Sequence, residues 1–435
     1  MCLSEPLSLI FDASIRSNYF PKSWKKANIV PILKSNKEYR PISLLATPSK
    51  ILEKIFIDLC LLPFISDKLS QNQYAFIPNN FGGCTNALTF LKLWVNSQLD
   101  AKGGYVHTVA VDFSKAFDKL NHSVILNKLC DQFSLPLNYL KFIENFLSER
   151  KQRVIIGTYP SYQSSWKQVT SGVPQGSILG PILFACVMND IEQVSERTEI
   201  ILYADDLIIL HHVPPLESNN MQIECDYLAH WSHINSLEIN FTKTKTIVFR
   251  RHTKTDYQSH PKRISNHLIE EVTSIKILGL VLNADCSSID HYHLIRRRFC
   301  TSLSCVKRIW QRGIGGYLLW NTYLALCFCH LSYAWPAWCD LPLNYLKTLT
   351  NLHKMVIRWA GIKIDPIADF NNRLDRICAK LMKKIAFHYP RHPLSIFFSS
   401  RNSVSYNIRH RHMLTPTHFN TKKSRDSFLK FYKHT

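Results

Sequence analysis

The sequence predicts an α+β protein. Apolar β-formers run from Ile200 to Leu210 around Tyr203-Ala204-Asp205-Asp206, the pattern of a hairpin with two adjacent carboxylates at its tip. A second strand pattern, Val106 to Phe113, carries Asp112 near its end. From about residue 286 onward the apolar spacing becomes that of amphipathic helices. Neighbouring aspartates repel each other, so the hairpin tip costs stability unless a cation sits beside it. Mg2+ suits that place because it takes carboxylate oxygens and keeps room for phosphates.

A chain of 435 residues, 46% hydrophobic, suggests about two to four subdomains. Lys and Arg outnumber Asp and Glu by 53 to 32, a net charge of +21. Such an excess points to a polyanionic partner, nucleic acid first, over a merely soluble basic protein. The 13 cysteines are scattered with no CxxC pair. They argue against a disulfide framework and for a reducing, intracellular setting, in nucleus or cytoplasm. Cys327-Phe328-Cys329-His330 lies in an apolar helical run and reads as buried thiols rather than zinc ligands. The N-terminus has no basic leader and an early Pro6, so it is not a signal peptide. The apolar run 317–339 is broken by Asn321, His330 and Pro336 and reads as buried rather than membrane-spanning.

In chain order, Leu7, Ile10, Phe11 and Ile15 predict a helix closing before Pro21. Ile29, Val30 and Ile32 predict a strand that carries Lys34 out at its end. A turn at 35–37 leads to a second arm bearing Arg40. Two cations on one hairpin can grip a triphosphate, Arg as a fork and Lys as a point charge; taken alone they are equally well solvated surface charges. Pro48 to Leu62 predicts an amphipathic helix with Ile51, Leu52, Ile55, Phe56 and Leu59 on one face. Residues 72–78 read as extended, and Thr85 as the cap of a helix to about Leu99.

Gly103-Gly104 marks a boundary. The strand that follows delivers Asp112, either as a third acid for the pair at 205–206 or as the cap of the next helix. Two helices split at Leu135-Pro136, and arms 153–156 and 166–170 form a hairpin. The loop Ser171 to Pro181 holds glycines, a rigid proline and Gln175. It reads either as a cradle for a base pair or as an ordinary helix entry. After the acidic hairpin come a helix at 221–235, a strand at 243–249, and a polar loop at 250–267. Ile275 to Leu282 reads as one strand with a mid-strand glycine, a sign of a bulge or a close backbone approach. Helices at about 289–312, 317–334, 342–360 and 368–387 complete the pattern. In the first, Leu294, Leu303, Val306 and Ile309 face inward and Arg296, Arg297, Arg298, Lys307 and Arg308 outward. A basic tail covers 401–435.

Phosphoryl transfer to a primer end needs two divalent metals about 3.5–4 Å apart, held by carboxylates from different strands. Asp112 with Asp205 and Asp206 supplies such a set. Phe117, five residues past Asp112, is either a packing residue or a ring placed to exclude a ribose 2′-hydroxyl.

These motifs stand in a fixed order: Lys34…Arg40-Pro-Ile-Ser, Asp112-Phe-Ser-Lys-Ala-Phe117-Asp, Gly172-Val-Pro-Gln-Gly-Ser, Tyr203-Ala-Asp-Asp and Leu278-Gly-Leu. Over about residues 5–400 the chain resembles a reverse transcriptase. More narrowly, it resembles those of non-LTR (LINE-type) retrotransposons, through Ile178-Leu-Gly-Pro181, Asn240 with Lys243-Thr244, and Tyr333-Ala-Trp-Pro-Ala-Trp338. The resemblance implies a right-hand polymerase fold. Residues 1–100 would be fingers, 101–285 a palm with an antiparallel sheet and a fingers-like insertion near 120–165, and 286–400 a helical thumb and connection. It implies an RNA-directed DNA polymerase using two Mg2+ ions, with Mn2+ able to substitute. Its partners would be an RNA template, a DNA primer, their RNA–DNA duplex and dNTPs, with no membrane partner.

By that resemblance Asp112 and Asp205 hold both metals and Asp206 assists. The Phe113 carbonyl contributes, and Lys34 and Arg40 bind the triphosphate. Phe117 is the gate against ribose, Gln175 and Gly176 touch the incoming nucleotide and templating base, and Lys243 protonates pyrophosphate. Leu278, Gly279 and Leu280 form the primer grip, and the outward arginines after 286 track the duplex. The family's arginine after Gln-Phe-Gly-Phe is missing; Gln73-Tyr-Ala-Phe-Ile77 stands there. No upstream endonuclease or zinc knuckle is recognisable, so a polymerase piece of an element is expected. Two rivals are a truncated, inactive reverse-transcriptase-derived nucleic-acid-binding protein and an RNA-templated RNA polymerase; Phe117 speaks against the latter.

Overall fold

The computed structural model describes residues 3–35, 38–76, 82–101, 103–157, 162–251, 257, 261–400 and 414–416. The expected turn at 36–37, residues 252–256 and 258–260 of the 250–267 loop, residues 77–78 of the extended segment and nearly all of the basic tail lie outside these.

Helix α1 (Ser4–Arg16) leads into strands β1 (Lys26–Ser35) and β2 (Glu38–Leu44), which pair antiparallel. Next come α2 (Thr47–Phe56), a π-helical turn at Ile57–Leu61 and α3 (Leu62–Ile65). The π turn shifts the phase of the helix face. Leu52, Phe56, Ile57, Cys60 and Leu61 are buried, whereas Ile51 and Leu59 face solvent; the uniform helical spacing expected for this segment put both of them inside. Helix α4 (Cys84–Ala101) starts one residue before Thr85, which lies within it rather than capping it.

Strand β3 (Tyr105–Val111) ends immediately before Asp112. Helices α5 (Ala116–Lys119), α6 (His122–Asp131) and α7 (Leu137–Leu147) follow. Strands β4 (Arg150–Ile156), β5 (Tyr162–Gln163) and β6 (Lys167–Val169) return to the first hairpin: β4 runs parallel to β1 and pairs with both β5 and β6. Helix α8 (Leu179–Val187) precedes the acidic hairpin of β7 (Thr198–Tyr203) and β8 (Asp206–Val213). Helix α9 (Met221–Ile234) then leads to β9 (Lys245–Phe249) and the short strands β10 (Arg263–Ile264), β11 (His267–Leu268) and β12 (Glu270–Glu271).

The central sheet has the order β12-β9-β3-β8-β7, and β3 pairs antiparallel with both β8 and β9. It is buried on both faces, which explains why its strands read as continuous apolar runs. Ile200, Leu202, Leu207 and Ile209 point into a core shared with α6, α7, α8 and α9. Ile201, Ile208, Leu210, Ile247 and Phe249 point into a second core, with α4 and the C-terminal helices.

The segment expected as one strand is instead a hairpin, β13 (Ser274–Ile277) and β14 (Leu280–Asn283). Leu278 and Gly279 turn the chain with φ of 45° and 87°. An unbroken apolar sequence hid that turn, because leucine seldom adopts positive φ.

Helices α10 (Ile289–Gln311), α11 (Gly316–Tyr323), α12 (Cys329–Ser332), α13 (Trp335–Trp338), α14 (Leu343–Ala360) and α15 (Pro366–Phe387) form the C-terminal bundle. Leu303 and Val306 are buried in α10, with Tyr292, Ile295 and Phe299 beside them, while Leu294 and Ile309 are only half-buried. Arg296, Arg297, Arg298, Lys307 and Arg308 are exposed. Cys327 is buried and Cys329 exposed, and every cysteine among the described residues is a free thiol. No helix among the described residues is long and apolar enough to cross a membrane. A buried ion pair, Lys92 Nζ to Asp340 Oδ2 at 3.3 Å, ties α4 to this bundle, and Lys92 also donates to the Cys286 carbonyl at 2.6 Å.

One buried acid fixes α8. Glu53 in α2 is fully buried and accepts from the Ile178 and Leu179 backbone N–H groups at 2.7 and 3.1 Å and from the Ser49 hydroxyl at 2.9 Å. Replacing it would strand two buried donors at the start of α8. Glu53→Ala is therefore expected to lower stability by about 3 kcal/mol, read as a shifted urea midpoint, and Glu53→Gln, which keeps an acceptor, by about 1 kcal/mol.

Candidate active site

The site gathers at one end of the central sheet. The β3–β8 register runs to Val111 opposite Leu207. One step further, Asp112 and Asp206 stand at the same end of neighbouring strands. Tyr203 pairs with Asp206 across the hairpin, so Ala204 (φ 55°) and Asp205 form the tip. Asp112 is held from behind: its N–H donates to Thr244 Oγ1 at 3.2 Å, and its carbonyl accepts from Asn240 N–H at 2.7 Å.

The electrostatics follow from this placement. Burial and the neighbouring Asp205 and Asp112 raise Asp206 to about 6, against relief from Lys34 and Arg40. Burial also raises Asp112, with Lys243 and Lys34 opposing and Asp205 and Glu38 adding. Lys34 therefore acts on both Asp112 and Asp206, Arg40 on Asp206 and Lys243 on Asp112. Lys34 sits where the β1–β2 register shifts, between Leu33 and Ser35. Lys243 Nζ donates to Glu38 Oε2 at 3.3 Å on β2. Sequence reasoning missed Glu38; an acid two residues from Arg40, on the arm facing the carboxylates, was the available signal.

Among the described residues no group of three His, Cys, Asp or Glu is arranged to hold a metal ion by itself. The donor set nonetheless fits a divalent ion of the Mg2+ kind. Hard carboxylate oxygens crowd where burial and their mutual repulsion raise two of them, and such ions use one or two carboxylates plus waters and substrate phosphates. Asp112, Asp205 and Asp206 would hold it.

The surrounding residues are arranged in layers. The Phe117 ring stacks on Phe184 of α8 (centroids 4.6 Å apart, 21°) and meets Phe76 edge-on at 6.5 Å. The Phe113 side chain is buried against Trp231. Gln175 Nε2 donates to Asp118 Oδ1 at 2.9 Å, and the Gln175 carbonyl accepts from Ser43 N–H of β2 at 2.8 Å. Gly176 has φ 136°, and a Cβ there would stand 2.4 Å from the Ser43 carbonyl, so only glycine allows β2 to lie this close to the loop. Leu278-Gly279 forms a turn packed against Tyr333.

A raised carboxyl weakens the fold at high pH. Asp206's contribution is fully present below its unfolded value and is lost as pH rises through about 6. In metal-free protein Asp206→Asn should raise the melting temperature at pH 8 and leave it unchanged near pH 4. The gain will be modest, since Asp206, though backed by the packed sheet, still opens to solvent that screens its charge.

Residues 30–282 match the model of the family described as reverse transcriptase (RNA-dependent DNA polymerase). The RNA-directed DNA polymerase from mobile element jockey of Drosophila melanogaster is 29% identical over 317 residues, covering 68% of this chain and 33% of that protein. The Pol polyprotein from type-1 retrotransposable element R1 of Bradysia coprophila is 24% identical over 381 residues, covering 83% and 36%. Telomerase from Candida albicans with a TWJ fragment of telomeric RNA covers 89% of this chain and 69% of its own at TM-score 0.42 and 12% identity, a likeness too loose to carry an argument. The chain spans about a third of the length of the curated relatives it matches. With the family model covering more than half of it and relatives named as RNA-directed DNA polymerases of a mobile element and a transposon, the chain belongs to the reverse transcriptase family.

Proposed function

We propose that this chain is an RNA-directed DNA polymerase that extends a DNA primer on an RNA template. The observation that carries the reading is the meeting of Asp112 with Asp205 and Asp206 at one sheet end, within electrostatic reach of Lys34 and Arg40. Residues 1–100 act as fingers, 101–285 as palm with an insertion near 120–165, and 286–400 as thumb and connection. The pairing of β4 with β1 supports assigning the insertion to the fingers.

The primer 3′-hydroxyl oxygen attacks the α-phosphorus of a dNTP, a new phosphodiester bond forms, and the bond to pyrophosphate breaks. Two bound Mg2+ ions, or Mn2+, would supply Lewis acidity that lowers the hydroxyl's pKa and offsets charge on the leaving group. Asp112 and Asp205 bind these ions, with Asp206 and the Phe113 carbonyl assisting. Lys34 and Arg40 bind the triphosphate, and Lys243 Nζ gives a proton to pyrophosphate. Gln175 and Gly176 border the base pair, and Phe117 excludes the 2′-hydroxyl. Leu278, Gly279 and Leu280 border the primer end, and the exposed arginines of α10 follow the duplex backbone. Free thiols throughout the described residues support a reducing, intracellular setting.

The test is primer extension on an RNA template with dNTPs and Mg2+. Extension by the intact chain and a loss of at least 1000-fold in Asp205→Ala are expected, about 4 kcal/mol of barrier. Duplex binding without extension by the intact chain would instead identify an inactive nucleic-acid-binding relative. Phe117→Ala should raise the rate of rNTP relative to dNTP incorporation at least tenfold; an unchanged ratio would remove Phe117 from sugar selection.

A further inference from the structure

The segment Tyr333-Ala-Trp-Pro-Ala-Trp338 has no part in the chemistry above, yet it touches the turn assigned to the primer end. The Tyr333 hydroxyl donates to the Leu278 carbonyl. A Cβ on Gly279 would stand 3.4 Å from the Tyr333 ring, so the ring lies flat against the glycine. Both turn residues have positive φ, a state that leucine holds only when its surroundings enforce it.

The segment is itself anchored. Trp338 is fully buried, and its Nε1 donates to the Tyr333 carbonyl at 2.9 Å. Trp338 meets the His291 ring edge-on at 4.8 Å, and His291 Nδ1 accepts from Val281 N–H of β14 at 3.3 Å. Ala334, with φ 47°, starts the turn between Tyr333 and Trp338. The segment thus grips the β13–β14 hairpin both at its turn and along its second strand. A further link runs to the acidic hairpin. The Cys84 thiol at the start of α4 lies close to the hydroxyls of both Tyr203 and Tyr333, and Tyr203 lies two residues from Asp205.

We propose that Tyr333 is a positioning residue for the primer 3′ end, its hydroxyl bond to the Leu278 carbonyl fixing the 278–279 turn relative to the Tyr203–Asp206 hairpin. The peptide plane carries the effect: with the carbonyl held toward Tyr333, the Gly279 N–H must point the opposite way. A backbone donor with a fixed direction is what a phosphate at the primer end requires. The inference rests on the proposed primer-grip role of residues 278–280.

The experiment is single-nucleotide extension by the full chain on an RNA template with a DNA primer, dNTP and Mg2+. It compares wild type, Tyr333→Phe, Gly279→Ala and the double variant. Phenylalanine keeps the ring and loses only the hydroxyl. Tyr333→Phe is expected to lower kcat about five- to tenfold, with the KM for dNTP within about twofold and the melting temperature unchanged. Gly279→Ala strains the same turn, because its φ of 87° disfavours a side chain, and should slow extension as well. The double variant should be no slower than the slower single variant, since both act through one turn.

A wild-type rate in Tyr333→Phe alone, or losses that multiply in the double variant, would overturn the positioning role while leaving the primer grip in place. Wild-type rates and primer affinity in both single variants would overturn the primer-grip reading and this inference together. No extension by wild type would overturn the polymerase reading and, with it, this role.

Discussion

Like charge concentrated at one end of an apolar sheet is the constraint on which the rest of this structure depends. Burial at the sheet end, together with the repulsion among Asp112, Asp205 and Asp206, raises two of them. A loose scaffold would relax by letting them part. Here β3, β7 and β8 are locked between two cores, so the acids cannot separate without tearing packed strands. The repulsion is retained, and a divalent ion held there, as proposed above, would offset it. Lys34, Arg40 and Lys243 relieve it only in part, because each reaches in from another element and from exposed positions.

The cations of the first hairpin must be held over that sheet end, and the 171–178 loop does this. Ser43 on β2 donates to the Gln175 carbonyl, and its own carbonyl lies where only glycine at 176 lets it approach. The loop is fixed in turn by Glu53 at the start of α8 and by Asp118 on the Gln175 amide. Arg40 and the loop that borders the nucleotide are thus placed by one set of short contacts.

The site was more legible in the sequence than the parts that support it. Carboxylates at strand ends and a hairpin tip, and cations beside a turn, are local patterns, and their spacing is visible in one dimension. Four supporting features were not visible, each for a different reason. The π turn at Ile57–Leu61 broke the phase of a regular helix and put Ile51 and Leu59 outside. Leu278 at positive φ concealed a hairpin in an apolar run. Glu53 reads as a surface helix residue, although it stands between Leu52 and Phe56 on the buried face. The ion pair of Glu38 with Lys243 joins residues too far apart in the chain for any local pattern to pair them.

The residues proposed for sugar selection and for base recognition share a support. Phe117 stacks on Phe184, and Phe184 belongs to α8, the helix whose start Glu53 holds and whose preceding loop carries Gln175 and Gly176. A ring stacked on a buried neighbour has few places to go. In the role proposed for it, the ring would exclude a 2′-hydroxyl by occupancy rather than by attraction, which requires stiffness more than chemical specificity. Any change that lets α8 shift would loosen the ring and the Gln175 loop at once. Discrimination against ribose and accuracy at the base pair should therefore weaken together when the fault lies in α8, and separately when it lies in Phe117 or Gln175 alone.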